Sequence, residues 1–244
     1  CFYHYLPRGY AGKFAGIWPP LVLIFLPMAL VMLQPDLGTA LMIFAGGLTL
    51  MFLGGLPLRF ILVPGAAGAV ALPLLFSMLH DYQKKRILIF LDPEADPLGA
   101  GYHITQSKIA IGSGGLFGKG FLAGTQSHLD YLPEPQTDFI FATMAEEWGL
   151  AGGMFLIGAY LIVLNWGLRT ALQTRSVFGR LLAAGLSMTI FFYVLINAMM
   201  VMGLAPVVGI PMPLVSHGGS AMLTVMLALG LLMGVHRQRD VAMI

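Results

Sequence analysis

The sequence predicts an all-α protein, a polytopic bundle of transmembrane helices carrying one long loop. Three observations lead there. Of 244 residues, 58% are hydrophobic and only 10% charged; a soluble domain of that size cannot hide so much apolar surface, so the solvent is a bilayer. Six apolar stretches approach the roughly 20 residues that a helix needs to cross hydrocarbon. The basic residues of the short connections all fall on one side of such a bundle.

The six expected spans cover 17–33, 39–56, 59–79, 139–168, 178–202 and 218–235. Pro27 lies in the first and Pro64 and Pro73 in the third, where kinks are expected. The connections 34–38, 57–58, 169–177 and 203–217 are short, whereas 80–138 is long and holds most of the polar chemistry. The chain therefore reads as a single transmembrane domain over 1–244, with 80–138 as a large extracytoplasmic loop within it. It begins with Cys1 rather than Met, and no charged leader and cleavage site precede the first apolar run. It reads as part of a longer membrane protein. A single cysteine excludes an internal disulfide framework, and a net charge of +2 with no basic tail gives no footprint for nucleic acid.

Orientation follows from the basic residues. Arg8 and Lys13 precede the first span, and Arg59 separates the second from the third. Arg169, Arg175 and Arg180 separate the fourth from the fifth, and Arg237 and Arg239 follow the sixth. All share one face, which the positive-inside rule makes cytoplasmic. Lys84, Lys85, Arg86, Lys108 and Lys119 lie in the long loop, where that rule is weak. Apart from Asp240, the acidic residues fall on the opposite face or at the outer ends of the spans.

The acidic group in "PEPQTDFIFATMAEEWG", residues 133–149, is the sharpest chemical signal in a chain so poor in charge. Asp138 stands just ahead of the fourth span. It can cap that helix, since an Asp oxygen there satisfies an orphan N–H and meets the positive helix end. Partial desolvation can also make such a carboxylate a general base. Glu146 lies about 12 Å deeper at 1.5 Å per residue. At that depth it is a functional candidate, or it bonds to a neighbouring helix as Asn197 and Ser187 are expected to do. In "LQPDLGTA", residues 33–40, Asp36 is expected to cap the second span.

Two glycine-rich stretches follow. "GSGGLFGKG", residues 112–120, fails the Walker A pattern at both ends, because Ser113 and Gly120 occupy the positions that need Gly and Ser or Thr. It is either a tight turn or a cradle of backbone N–H groups for a pyrophosphate, charged by Lys119. The preceding "YHITQSKIAIGSGG", residues 102–115, is too short and polar to span and reads as a loop helix or one lying on the outer surface. "NAMMVMGLAPVVGIPMPLVSHGGSA", residues 197–221, is irregular backbone near lipid, which must pack in protein or line a wet cavity.

Four motifs in order, "QPDLGTA", "GSGGLFGKG", "LPEPQTDFIFA" and "VVGIPMPLVSHGGSA", resemble the SEDS family (shape, elongation, division and sporulation). The stretch "GAGYHITQSKIAIGSGGLFGKGFLAGTQSHLDYLPE" is most similar to its RodA, or elongation, branch rather than to the FtsW, or division, branch. The resemblance runs from about Trp18 to Arg237, and one departure is His217, where the family usually has Tyr, Ser or Ala.

The resemblance implies a ten-span protein of which six spans are present here. It implies an inverting glycosyltransferase of the inner membrane that polymerises lipid II into peptidoglycan glycan strands on the extracytoplasmic side. The expected partner is a class B penicillin-binding protein that supplies the transpeptidase. The essential acid of the family's "TDF" motif is here Asp138. Lys119, Arg86 or a divalent cation such as Mg or Mn would neutralise the leaving pyrophosphate. Gln106, Glu134, Thr137 and Ser216 are further candidates for positioning substrate. No nucleotide cofactor is expected, because the pyrophosphate link already activates the donor. A lipid II flippase and a non-catalytic scaffold of the elongation machinery are the competing readings.

Overall fold

The structure is a computed structural model that describes residues 14–34, 36–71, 76–77, 81–92, 96, 99–129, 131–132 and 136–239. Its elements are α1 (Phe14–Leu33), α2 (Leu37–Leu53), α3 (Arg59–Val70), α4 (Asp81–Leu91), α5 (Ala100–Gly114) and the single turn α6 (Thr125–His128). They are followed by α7 (Ile140–Gln173), α8 (Val177–Val201) and α9 (Gly219–Gln238). Among the described residues there is no strand, so the all-α class holds.

Among the described residues, four helices are long and apolar enough to cross a membrane: α1 over Gly16–Leu33, then α7, α8 and α9. The second expected span is the 17-residue apolar α2, and the third is helical over α3 and again at 76–77. Pro73 lies outside the described residues. Pro19, Pro20 and Pro27 sit within α1 without dividing it. The marked break falls elsewhere, at Gly149 inside α7. Side chains such as Leu23 (68% exposed) and Leu223 (71%) point outward, which hydrocarbon tolerates and water would not.

Asp36 behaves as its position predicts. Its carboxylate accepts from the Thr39 N–H at 3.0 Å and caps α2.

The chain forms two compact units, with boundaries inside α7, α8 and α9. One contains α1–α3, the end of α7, the first part of α8 and the end of α9. There α1 packs on α2 and the turn after it through Ile24, Met51 and Leu56, and a Cβ on Gly47 would collide with Ile24. Ala171, Ala183, Ala184 and Leu232 make a second small core, as expected where helices associate in lipid through small residues. Ser187 departs from its expected role. Its hydroxyl donates to Ala183 O at 2.7 Å within α8, because a buried Ser can satisfy itself on the preceding turn.

The other unit contains α4–α6, the first part of α7, the end of α8 and the irregular 203–217 segment. Its core includes Leu132, Phe139, Phe141, Tyr160, Met200 and Met212. The Tyr160 hydroxyl donates to Pro213 O, and the Ser107 hydroxyl on α5 donates to Val201 O at 2.7 Å. Pro213 in the Pro- and Gly-rich segment is thus bonded inside the protein, and Ile210 and Met212 are buried, while Leu204 and Leu214 are exposed.

Candidate active site

The turn 136–139 leads into α7, and its carbonyl groups are held by a wall of other segments. Gln136 O accepts from the His217 N–H at 2.8 Å. Thr137 O accepts from the Ser216 hydroxyl at 2.6 Å. Asp138 O accepts from the Asn197 side-chain amide at 2.8 Å. Three consecutive carbonyls thus have donors outside α7, while Phe139 O accepts from the N–H groups of Ala142 and Thr143 at the start of that helix. Backbone groups this close to lipid need partners, and here the partners also fix where the Asp138 side chain can sit.

Asp138 is half-buried. Its carboxylate faces Gly209, where an added Cβ would lie 3.4 Å from Oδ2. Gly209 has φ of 70°, a conformation that costs glycine nothing and strains other residues. A rigid carboxylate beside backbone without side chain can accept a proton from a hydroxyl brought to it.

Deeper along α7 the glycine-rich turn inserts into the helix. An unbroken helix would bond Leu150 N–H to Glu146 O and Ala151 N–H to Glu147 O. Gly149 (φ 66°, ψ −163°) interrupts that ladder. Glu146 O and Glu147 O accept instead from the N–H groups of Lys119 and Gly120, each at 3.0 Å. Leu150 and Ala151 donate to Gly115 O and Leu116 O at 2.9 and 3.0 Å. The turn replaces the missing helical bonds one for one. Cβ atoms on Gly114 or Gly118 would strike the carbonyls of Ala145 and Glu147, which is why glycine is needed there. The N–H groups of residues 118–120 are all bonded to carbonyls, so this stretch is a packed turn rather than an open phosphate cradle.

The same insertion gives Glu146 its partners. Its side chain is fully buried, and its Oε1 accepts from Lys119 Nζ at 2.7 Å, Thr125 Oγ1 at 3.1 Å and the Gln126 N–H at 3.0 Å. Lys119 Nζ also bonds Thr125 Oγ1 at 2.8 Å. A buried carboxylate is tolerable when charge and hydrogen bonds are both supplied.

The other sequence candidates are dispersed. Gln106 lies half-buried on α5, and Thr137 lies in the turn beside Asp138. Ser216 is buried, and its hydroxyl donates to Thr137 O and accepts from the Met212 N–H at 2.7 Å. It braces the turn from inside the protein. Arg86 is on α4, and its side chain and all of Glu134 lie outside the described residues. His103 on α5 has its ring pKa lowered by burial, against the opposing pull of Asp96. Among the described residues, no three of His, Cys, Asp and Glu converge to hold a metal ion. A divalent cation such as Mg or Mn has no such donor set there.

Sequence reasoning gives Asn197 only a bond to a neighbouring helix and gives Gly149 no role. Gly149 opens "GLAGG" inside an expected span, a signal for a break that was available. Lys119 and Glu146 carry opposite charges, and an ionisable group at depth calls for a partner, but nothing in their separation of 27 positions brings them together.

Comparison with known proteins agrees with the ordered motifs. The family profile described as "Cell cycle protein" (FtsW/RodA/SpoVE) matches residues 6–241. The peptidoglycan glycosyltransferase MrdB of Escherichia coli K12 is 53% identical over 220 residues, covering 90% of this chain and 60% of that protein. The peptidoglycan glycosyltransferase RodA of Treponema pallidum is 46% identical over 162 residues, covering 66% of this chain and 37% of that protein. A solved structure concerning coordination of polymerization and crosslinking by a peptidoglycan synthase complex superposes with a TM-score of 0.82 at 32% identity. It covers 98% of this chain and 66% of that one. The crystal structure of Thermus thermophilus RodA superposes with a TM-score of 0.63 at 29% identity, covering 98% of this chain and 60% of that one. The chain thus spans 60% of the length of the Escherichia coli relative. With a family match across nearly its whole length and relatives over half identical, the chain belongs to the FtsW/RodA/SpoVE family of cell cycle proteins.

Proposed function

We propose that this chain is part of a peptidoglycan glycosyltransferase that polymerises lipid II into glycan strands during cell elongation. The observation that carries the reading is Asp138. It is a half-buried carboxylate at the start of a membrane helix, on a turn braced through three consecutive carbonyls, in a family whose relatives are named peptidoglycan glycosyltransferases.

In this reading the acceptor's GlcNAc 4-hydroxyl attacks the anomeric carbon of the donor's MurNAc with inversion. Asp138 takes the hydroxyl proton, and polyprenyl pyrophosphate leaves. The substrate's lipid tail explains the placement of the acid: the reacting sugars sit at the membrane boundary because their carrier is in the bilayer. In this reading Gln106, Thr137, Glu134 and Ser216 help to position the sugars or peptide near that acid. Lys119, Arg86 or a divalent cation would neutralise the leaving pyrophosphate. A class B penicillin-binding protein is the transpeptidase partner, and the cell's inner membrane is the location. The test is whether purified full-length protein with that partner makes glycan polymer from labelled lipid II. A flippase or a scaffold makes none.

The same reading places the 80–138 segment outside the cytoplasm, because the short connections carry their basic residues on the other face. Single cysteines at Ser127 and Ser176, in a Cys1→Ser background, report this in intact cells treated with a membrane-impermeant thiol reagent. Ser127→Cys is expected to label and Ser176→Cys is not. The reversed pattern would move the reaction to the wrong side of the membrane.

A further inference from the structure

We infer that Asn197 is a positioning residue for the proton-accepting carboxylate, an inference that rests on the proposed role of Asp138. Asn197 is fully buried near the end of α8. Its Nδ2 donates to Asp138 O at 2.8 Å and to Ile210 O at 2.7 Å. One planar amide therefore joins the residue that carries the carboxylate to the residue after Gly209, whose bare backbone the carboxylate faces. Both neighbours are carbonyls, so the amide can face them only with its nitrogen, which fixes its orientation.

The same fit leaves Asn197 Oδ1 buried with no hydrogen-bond partner among the described residues. An unsatisfied buried acceptor opposes folding, so the amide is a poor choice for stability alone. What it provides is geometry. The two N–H bonds of one rigid group set the distance between the Asp138 turn and the 209–210 backbone, and hence the width of the space in front of the carboxylate. The reacting hydroxyl must enter that space. Ser216 braces the same turn one residue earlier, but it bonds to Met212 rather than to the segment facing the carboxylate. Asn197 alone among these contacts ties both walls together.

A displacement of about 1 Å at a reacting group can lower a rate by about 10²-fold. Accordingly, in full-length protein with its partner, Asn197→Ala is expected to lower kcat on lipid II by about 10- to 100-fold with KM within about twofold of wild type. Asn197→Ser keeps one donor and is expected to fall between Asn197→Ala and wild type. It also decides the question should the alanine variant fail to fold, as judged by size-exclusion profile and partner co-purification.

The separating measurement is the double variant. In an Asp138→Asn background there is no base left to aim, so Asn197→Ser is expected to cause less than a twofold further loss. A residue that merely supports the fold would lower the rate by the same factor in both backgrounds, and that result would overturn the inference. A folded Asn197→Ser with wild-type kcat, or a change confined to KM, would overturn it as well. Wild-type turnover by Asp138→Asn would instead remove the base assignment on which it stands, so the two failures are distinct.

Discussion

Asp138→Asn is expected to lower glycan-strand synthesis by about 10²- to 10⁴-fold, the range general-base catalysis contributes, while leaving folding nearly unchanged. The substitution is isosteric. The contacts that hold the turn run through the backbone carbonyls of residues 136, 137 and 138, so none of those three is lost. Gly209 leaves space for an amide as it does for a carboxylate. What changes is basicity, because a side-chain amide cannot accept the hydroxyl proton. The measurement is polymer made from labelled lipid II by full-length protein with its partner, with thermal stability and co-purification as controls. Near-normal polymer yield from a folded variant would remove Asp138 as the base, and another residue would have to take the proton.

Lys119→Ala is expected to destabilise the protein by about 1–3 kcal/mol, the usual cost of leaving a buried acceptor short of a partner. Glu146 has no exposure, while the Lys119 side chain is 28% exposed, and the Thr125 hydroxyl and the Gln126 N–H still donate to the carboxylate. The loss should loosen the glycine-rich turn from the break at Gly149, because the ammonium bond to Glu146 is removed and only the backbone N–H of residue 119 still holds it to Glu146 O. For a chain of this size, 1 kcal/mol corresponds to about 2–4 °C in Tm, so the drop should be plain in a thermal scan of the detergent-solubilised protein.

The double variant Lys119→Met with Glu146→Gln is expected to recover most of that stability, because no uncompensated charge stays buried. The pyrophosphate role that the sequence suggested for Lys119 makes the opposite forecast. There, Lys119→Ala would lower turnover at saturating lipid II with little effect on Tm, and the double variant would stay inactive. Comparing Tm and turnover across the single and double variants separates a structural clamp from a leaving-group contact.

The amino-acid sequence by itself determined the fold class and the position of the candidate acid. Lipid imposes both. A chain with long apolar runs and so few charges can satisfy its backbone in a bilayer only as helices, and a carboxylate just ahead of such a run must lie near the membrane boundary. Asp36 was legible in the same way, because capping is settled within three residues. Four ordered motifs then carried the family.

The tertiary structure alone decided what the remaining polar groups do. Lys119 and Glu146 are paired only because a glycine-rich turn replaces the bonds that α7 gives up at Gly149. Ser216 bonds to Thr137 O and to the Met212 N–H. Asn197 reaches Asp138 across 59 positions, and no local pattern encodes that. The physical reason is the same in each case. A buried donor or acceptor must find a partner, but in a membrane protein the partner is chosen by how separate segments pack, and packing is not written in the spacing of residues along one helix.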